Sequence, residues 1–150
     1  MYHLLIRRRL HRVFQHLSTG NYEYALSQMS ERFEHLFSGN HPLGGTRHTL
    51  TGFRRWFKRL YQLFPDLRFE IKNIFVNGWP WNTVAVVEWI DRATLADGQP
   101  YINKGVHVIG IRWGRVTSLH VYLDTQVIME ACQRLALAGV SEAKEALIVD

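Results

Sequence analysis

The chain has 150 residues, 47% of them hydrophobic, a formal charge of +5 at neutral pH and one cysteine. That length suits one domain, expected over 1-150, with a full core. No apolar run approaches the roughly 18 residues of a membrane span, and MYHLLIRRRLHR has too short an apolar piece, on the wrong side of its charges, for a secretory signal. The expected location is therefore cytoplasmic.

In chain order, Leu10, Val13, Phe14 and Leu17 hold the i, i+3, i+4, i+7 spacing of one helix face, so Leu5 to Leu17 is read as helix. Ser18-Thr19-Gly20-Asn21 breaks it and offers Asn21 as the cap of a short second helix carrying Tyr22, Ala25, Leu26 and Met29. A strand-like piece from Phe33 to Phe37 precedes the loop SGNHPLGGTRH, read as a polar surface connection. Thr49 or Thr51 caps a third helix with Leu50, Phe53, Phe57, Leu60 and Phe64 in helical period, and Pro65 ends it. LRFEIKNIFVNG alternates as a half-buried strand, with a phase shift at Asn73-Ile74 that a bulge would explain.

Trp81 to Asp124 reads as three long strands in a meander, WNTVAVVEWIDR, YINKGVHVIGIR and RVTSLHVYLD, turning at Asp97-Gly98 and at Gly114. Asp124 or Thr125 then caps a last helix through Val127, Ile128, Ala131 and Leu135, Gly139 stops it, and SEAKEALIVD is a weaker helical piece that closes a pocket or frays. Cys132 is read as a small apolar residue on that helix. Helices, then a curved mostly antiparallel sheet, then a helix make an α+β arrangement with the sheet wrapped round a long helix.

If Asp97-Gly98 is a two-residue turn, Glu88 faces His107, Arg92 faces Asn103, and Val84, Val86, Ile90, Gly105 and Ile109 share their face. An apolar wall interrupted by a carboxylate, an imidazole and an amide reads as a small-molecule pocket. A three-residue loop at Arg112-Trp113-Gly114 would put Leu119, Val121 and Leu123 on the face of His107; a two-residue turn would bring His120 there instead. Two basic clusters, Arg7, Arg8, Arg9, Arg12 and Arg54, Arg55, Lys58, Arg59, are read as solvated helix faces, and without a nucleic-acid motif no nucleic-acid partner is expected. Nor is a metal, since no histidine pair has i, i+4 helical spacing with a carboxylate.

HLSTGNYEYAL, FSGNHPLGG before a helix, LFPDLRFEI and GIRWGRVTSLHVYLD together resemble the nuclear-transport-factor-2-like superfamily, and within it the SnoaL-like polyketide cyclases and ketosteroid isomerases. The resemblance implies a cone-shaped fold with an interior pocket, a homodimer through the outer sheet face that Trp89, His120, Tyr122 and Asp124 would join, and cofactor-free chemistry. The isomerases' Asp-Pro base position reads His41-Pro42 here, their protonated strand aspartate falls near His107, and their helix-one tyrosine falls near Val13 or Phe14. The cyclases' last-strand aspartate falls near Val121, and the epoxide hydrolases' Arg and Asp fall near Glu88 and Ile90.

The expected site is therefore His107 moving a proton while Glu88 orients it and Asn103 holds the substrate oxygen, with His41 as a further candidate. Phe14, Phe57, Val86, Ile90, Val121 and Leu123 are expected to line the pocket around a small apolar molecule, such as a carbonyl or polycyclic compound. The competing reading is a ligand-binding or protein-interaction module in which Glu88 and His107 are a satisfied pair in the sheet.

Overall fold

The computed structural model describes residues 1–150. Two helices lead the chain: α1 (Tyr2–Leu17), which buries Ile6, Leu10, Phe14 and Leu17 along one face, and α2 (Tyr22–Ser27). Strands β1 (Met29–Phe37) and β2 (Gly45–Arg47) precede α3 (Leu50–Leu63), where the Thr49 hydroxyl accepts from Gly52 N as a cap. β3 (Arg68–Trp79), β4 (Asn82–Thr94), β5 (Pro100–Arg112) and β6 (Arg115–Leu123) follow. α4 (Thr125–Leu137) is capped by the Asp124 carboxylate, which accepts from Gln126 N and Val127 N.

The six strands form one sheet in the order β2-β1-β6-β5-β4-β3, antiparallel except where β1 runs parallel to β6. Its inner face meets the apolar stripes of α1, α3 and α4 in one core cluster that includes Phe14, Phe53, Trp56, Phe57, Val87, Trp89, Ile109, Val121 and Ile128. The Asn73-Ile74 phase shift is a bulge between Ile71 and Asn73, close to its expected place.

The β4–β5 hairpin departs from expectation by one residue. Leu95 N donates to Gln99 O at 2.9 Å and Gly98 N to Leu95 O at 2.8 Å, so Ala96, Asp97 and Gly98 form a three-residue loop. Gly98 alone takes the left-handed conformation, with φ 81°, and Asp97 Oδ1 accepts from Gln99 N. Val87 consequently pairs with His107, and Asp91 with Asn103. A one-residue slip turns every side chain to the other face. Glu88, Val84, Val86 and Ile90 thus lie on the outer face, and Ala85, Val87, Trp89, Asp91 and Ala93 point inward.

At the β5–β6 turn two deviations cancel. Arg112 pairs with Arg115 across a two-residue turn whose Trp113 and Gly114 have φ 47° and 77°. An extra residue then enters β6 between the Ile111–Val116 and Gly110–Ser118 pairs. The bulge restores the phase, so His107 sits beside Val121, with Leu119 and Leu123 on its face, and His120 is outside, bonded to Glu34 at 2.8 Å.

The loop after β1 is only partly a polar surface connection: Gly39, Asn40 and His48 are exposed, but Leu43 and Arg47 are 0% exposed and His41 5%. The C-terminal piece docks rather than frays. Arg47 Nη1 donates to Ile148 O, Arg59 donates to Ala146 O and Glu142, and the Asp150 carboxylate takes the Thr49 hydroxyl. Arg59 and Trp56 therefore belong to the interior, not to a solvated basic face.

Candidate functional site

Between the inner sheet face and the helices lies a cavity of about 80 Å³. Of its 29 lining residues 24 are hydrophobic; the other five are Arg9, Gln28, His35, Asp91 and His107, and the Tyr61 and Tyr101 side chains add hydroxyls. Phe14, Phe57, Val121 and Leu123 line it as expected, whereas Val86 and Ile90 lie outside.

His107 is positioned by Trp89, and Trp89 by Gly105. The two strand neighbours pair directly, and a Cβ on Gly105 would stand 2.7 Å from the indole, so only glycine lets the ring lie across β5. Trp89 Nε1 then donates to His107 Nδ1 at 2.7 Å. Because an indole nitrogen only donates, the neutral imidazole carries its proton on Nε2. Burial pushes the His107 pKa down to about 3 with no carboxylate to oppose it. The ring lines the cavity, flanked by Phe14, 5.0 Å away between centroids, and by Phe69. At neutral pH it is a hydrogen-bond donor, not a proton acceptor.

His35 is built the same way on β1. Arg47 Nε donates to its Nδ1 at 2.9 Å, and burial and then the Arg47 charge hold its pKa well below the usual histidine value, leaving a second neutral imidazole whose proton is on Nε2. Arg47 is itself held by three further hydrogen bonds, from Nη1 to Gly44 O and Ile148 O and from Nη2 to Gly45 O.

Asp91 differs from both. It is 6% exposed, its Oδ1 has no hydrogen-bond partner, and no cation pairs with it. Burial pushes its pKa up to about 7, with the backbone N–H groups of Asp91 and Asn103 pulling the other way. A carboxyl that changes charge near neutrality on an apolar wall is the one group here suited to exchanging a proton. Alternation from Glu88 and Ile90 across a two-residue turn puts Asp91 on the outer face; the three-residue loop turns it inward.

The remaining expected residues do other work. Glu88 accepts from Asn73 Nδ2 at 2.7 Å on the outer face and does not meet His107. Asn103 is buried but ties strands together, donating to the Tyr101 hydroxyl and to Asp124 O while accepting from Lys104 N. His41 uses both ring nitrogens locally, Nε2 to Ser38 O at 2.8 Å and Nδ1 from Leu43 N at 3.2 Å, and does not line the cavity. Trp89 is inside rather than on the outer face. No three His, Cys, Asp or Glu side chains are placed to hold a metal ion, and no helix is long and apolar enough to cross a membrane.

A family model described as the SnoaL-like domain matches residues 10–119. No functionally curated protein matches the sequence. Solved structures that resemble the chain include a protein from Jannaschia sp. CCS1 assigned as a SnoaL-like polyketide cyclase (TM-score 0.69, 18% identity, covering 83% of this chain and 88% of that one). An NTF2-like protein of unknown function from Burkholderia pseudomallei gives 0.74 and 16%, covering 83% and 95%. A protein from Acidithiobacillus ferrooxidans assigned as a polyketide cyclase gives 0.67 and 23%, covering 87% and 94%. At such identities the likeness is one of fold, and the curved six-stranded sheet with its flanking helices is that fold.

Proposed function

The chain belongs to the SnoaL-like domain family, and on that basis we propose that its cavity takes a small apolar carbonyl compound on which Asp91 moves a proton without a cofactor, as an isomerase, cyclase or dehydratase would. The observation that carries this reading is the Asp91 carboxyl, buried on an apolar cavity wall with Oδ1 unpartnered and its pKa pushed up to about 7. Ionised, it abstracts a proton; protonated, it returns one. The Nε2–H groups of His107 and His35 serve as neutral donors to a polar group at the other end of the ligand, a role that keeps no charge in the cavity.

Asp91 stands four residues along β4 from Val87, the partner of His107, a strand length of about 13 Å. Carboxyl and imidazole thus attend different ends of one molecule. A volume of about 80 Å³ is well under the roughly 300 Å³ at which pockets for drug-sized ligands begin, which favours a compound of about one ring over a polycycle. A second copy docked on the outer face, where Phe75, Val84, Ile102 and Tyr122 are exposed, belongs to the same reading, and sedimentation velocity tests it.

Deuterium wash-in from D2O at the α-carbons of cyclohexanone and 2-indanone is the direct test. Wild type should accelerate exchange with a rate rising through pH 7, Asp91→Asn should lose about 100-fold or more, and Glu88→Gln should match wild type. Equal exchange by wild type and Asp91→Asn overturns the role of Asp91. No acceleration by wild type leaves the second reading, a non-catalytic binder, which the small volume and the rings packed against His107 favour.

A further inference from the structure

Three arginines reach the interior, and two of them are tied down there by three or four hydrogen bonds each. Arg47 spends its donors on His35 and three carbonyls, and Arg59 on Glu142, Pro42 O and Ala146 O. Arg9 is different. It lines the cavity from α1, half-buried, and makes one hydrogen bond, from Nε to Gln28 Oε1 at 2.8 Å. It enters no ion pair, and Nη1 and Nη2 have no partner in the protein.

Its surroundings are cationic. α1 contains Arg7, Arg8, Arg9 and Arg12 and no acidic residue, and Arg115, tied to Ser27 O, lies on the other side. Burial and then Arg115 pull the Arg9 pKa down, against Tyr24 and Tyr2; no carboxylate acts on it. Gln28 is itself fixed, its amide donating to Ser27 Oγ at 2.9 Å, so the guanidinium is held by its inner nitrogen with its outer fork free beside the β5–β6 turn at Gly114. A planar fork with two parallel N–H groups matches a carboxylate, and a fork already held in place loses little entropy on closing.

We infer that Arg9, clamped by Gln28, is the specificity residue of the cavity and that the ligand is an amphipathic anion: a carboxylate gripped by Nη1 and Nη2, with its apolar body among Leu10, Val13, Phe14 and Met29. This rests on the reading of the cavity as a ligand site but not on proton transfer by Asp91. Along α1, Arg9 precedes Phe14 by five residues, an axial distance of about 7.5 Å, and Phe14 packs on His107. A carboxylate attached to a single ring spans that interval.

Ligand-observed NMR titration against matched pairs, benzoate with benzyl alcohol, cinnamate with cinnamyl alcohol and 2-naphthoate with 2-naphthylmethanol, decides the matter. Wild type should bind the acid of at least one pair about tenfold more tightly than its alcohol. Arg9→Met, which keeps the aliphatic stem, should abolish that preference while leaving the alcohol's affinity unchanged. Arg8→Met, an exposed neighbour, should keep it. Equal binding of acid and alcohol by wild type, or a preference surviving in Arg9→Met, overturns the inference and leaves the cavity reading standing. Binding of neither partner of any pair at 10 mM overturns both.

Discussion

Glu88 and Asp91 are three residues apart on one strand, and the sheet puts them in different solvents. Glu88, on the outer face, lies in a groove with Lys72, Asn73 and Lys104 and has an amide donor at 2.7 Å. Asp91, on the inner face, has an unpartnered oxygen and apolar neighbours, and its pKa is pushed up to about 7. Glu70, also outside, goes the other way, its pKa lowered by hydrogen bonds from Arg92 and then Lys72. Asp91 and Glu70, of similar intrinsic acidity, diverge because hydrogen bonds to cations stabilise an anion and an apolar wall does not. The face of the sheet, more than the residue type, decides which one can trade a proton near neutral pH.

The largest way to break this contrast is through the pH dependence of stability. Asp91 titrates near 7 folded and near 3.9 unfolded, so between those values the native state holds a proton that the unfolded state has lost. Its contribution is full below the unfolded value and is lost as pH rises through 7. Asp91→Asn should therefore gain on wild type by about 4 kcal/mol between pH 4 and pH 8, read from urea unfolding at both. Parallel curves would mean that the carboxyl is hydrated. His107 has the opposite sign: with a folded pKa of about 3 it is neutral when native while the unfolded ring charges. Stability from it is full above about 6.5 and drains as pH falls toward 3. His107→Gln should lose about 3 kcal/mol less than wild type between pH 7.5 and pH 4.

How far the sequence reaches is visible in the same elements. Caps at Thr49 and Asp124, the stop at Pro65 and the helix face through Leu10, Phe14 and Leu17 are local events, and they stand where local rules place them. So do Phe14, Phe57, Val121 and Leu123 on the cavity wall, the last two because a two-residue turn and a bulge offset each other. The failure was in the register of β4. Both of its faces are apolar with one acid each, Val84, Val86 and Ile90 around Glu88 against Ala85, Val87 and Trp89 around Asp91, so alternation says nothing about which face is inside. Only the loop decides, and Asp97-Gly98 fits two loop lengths. His35 and Arg9 depend on partners far along the chain, Arg47 and Gln28, and no spacing rule reports those.

Smaller changes sharpen the contrast within the inner face and then across the sheet. Trp89→Phe removes the N–H that fixes His107, leaving its Nδ1 without a donor in an apolar wall; the cost should be about 2 kcal/mol, and the imidazole 15N shifts should move from one tautomer toward a mixture. Unchanged shifts would assign the tautomer to something other than the indole. Glu88→Gln is the smallest. The amide keeps an oxygen for Asn73 Nδ2 and gives up only a solvated charge, so stability should stay within about 0.5 kcal/mol of wild type and deuterium wash-in should not change. A large loss of exchange in this variant with stability intact would put the chemistry on the outer face, and Asp91 would then be only a buried acid held neutral by its surroundings.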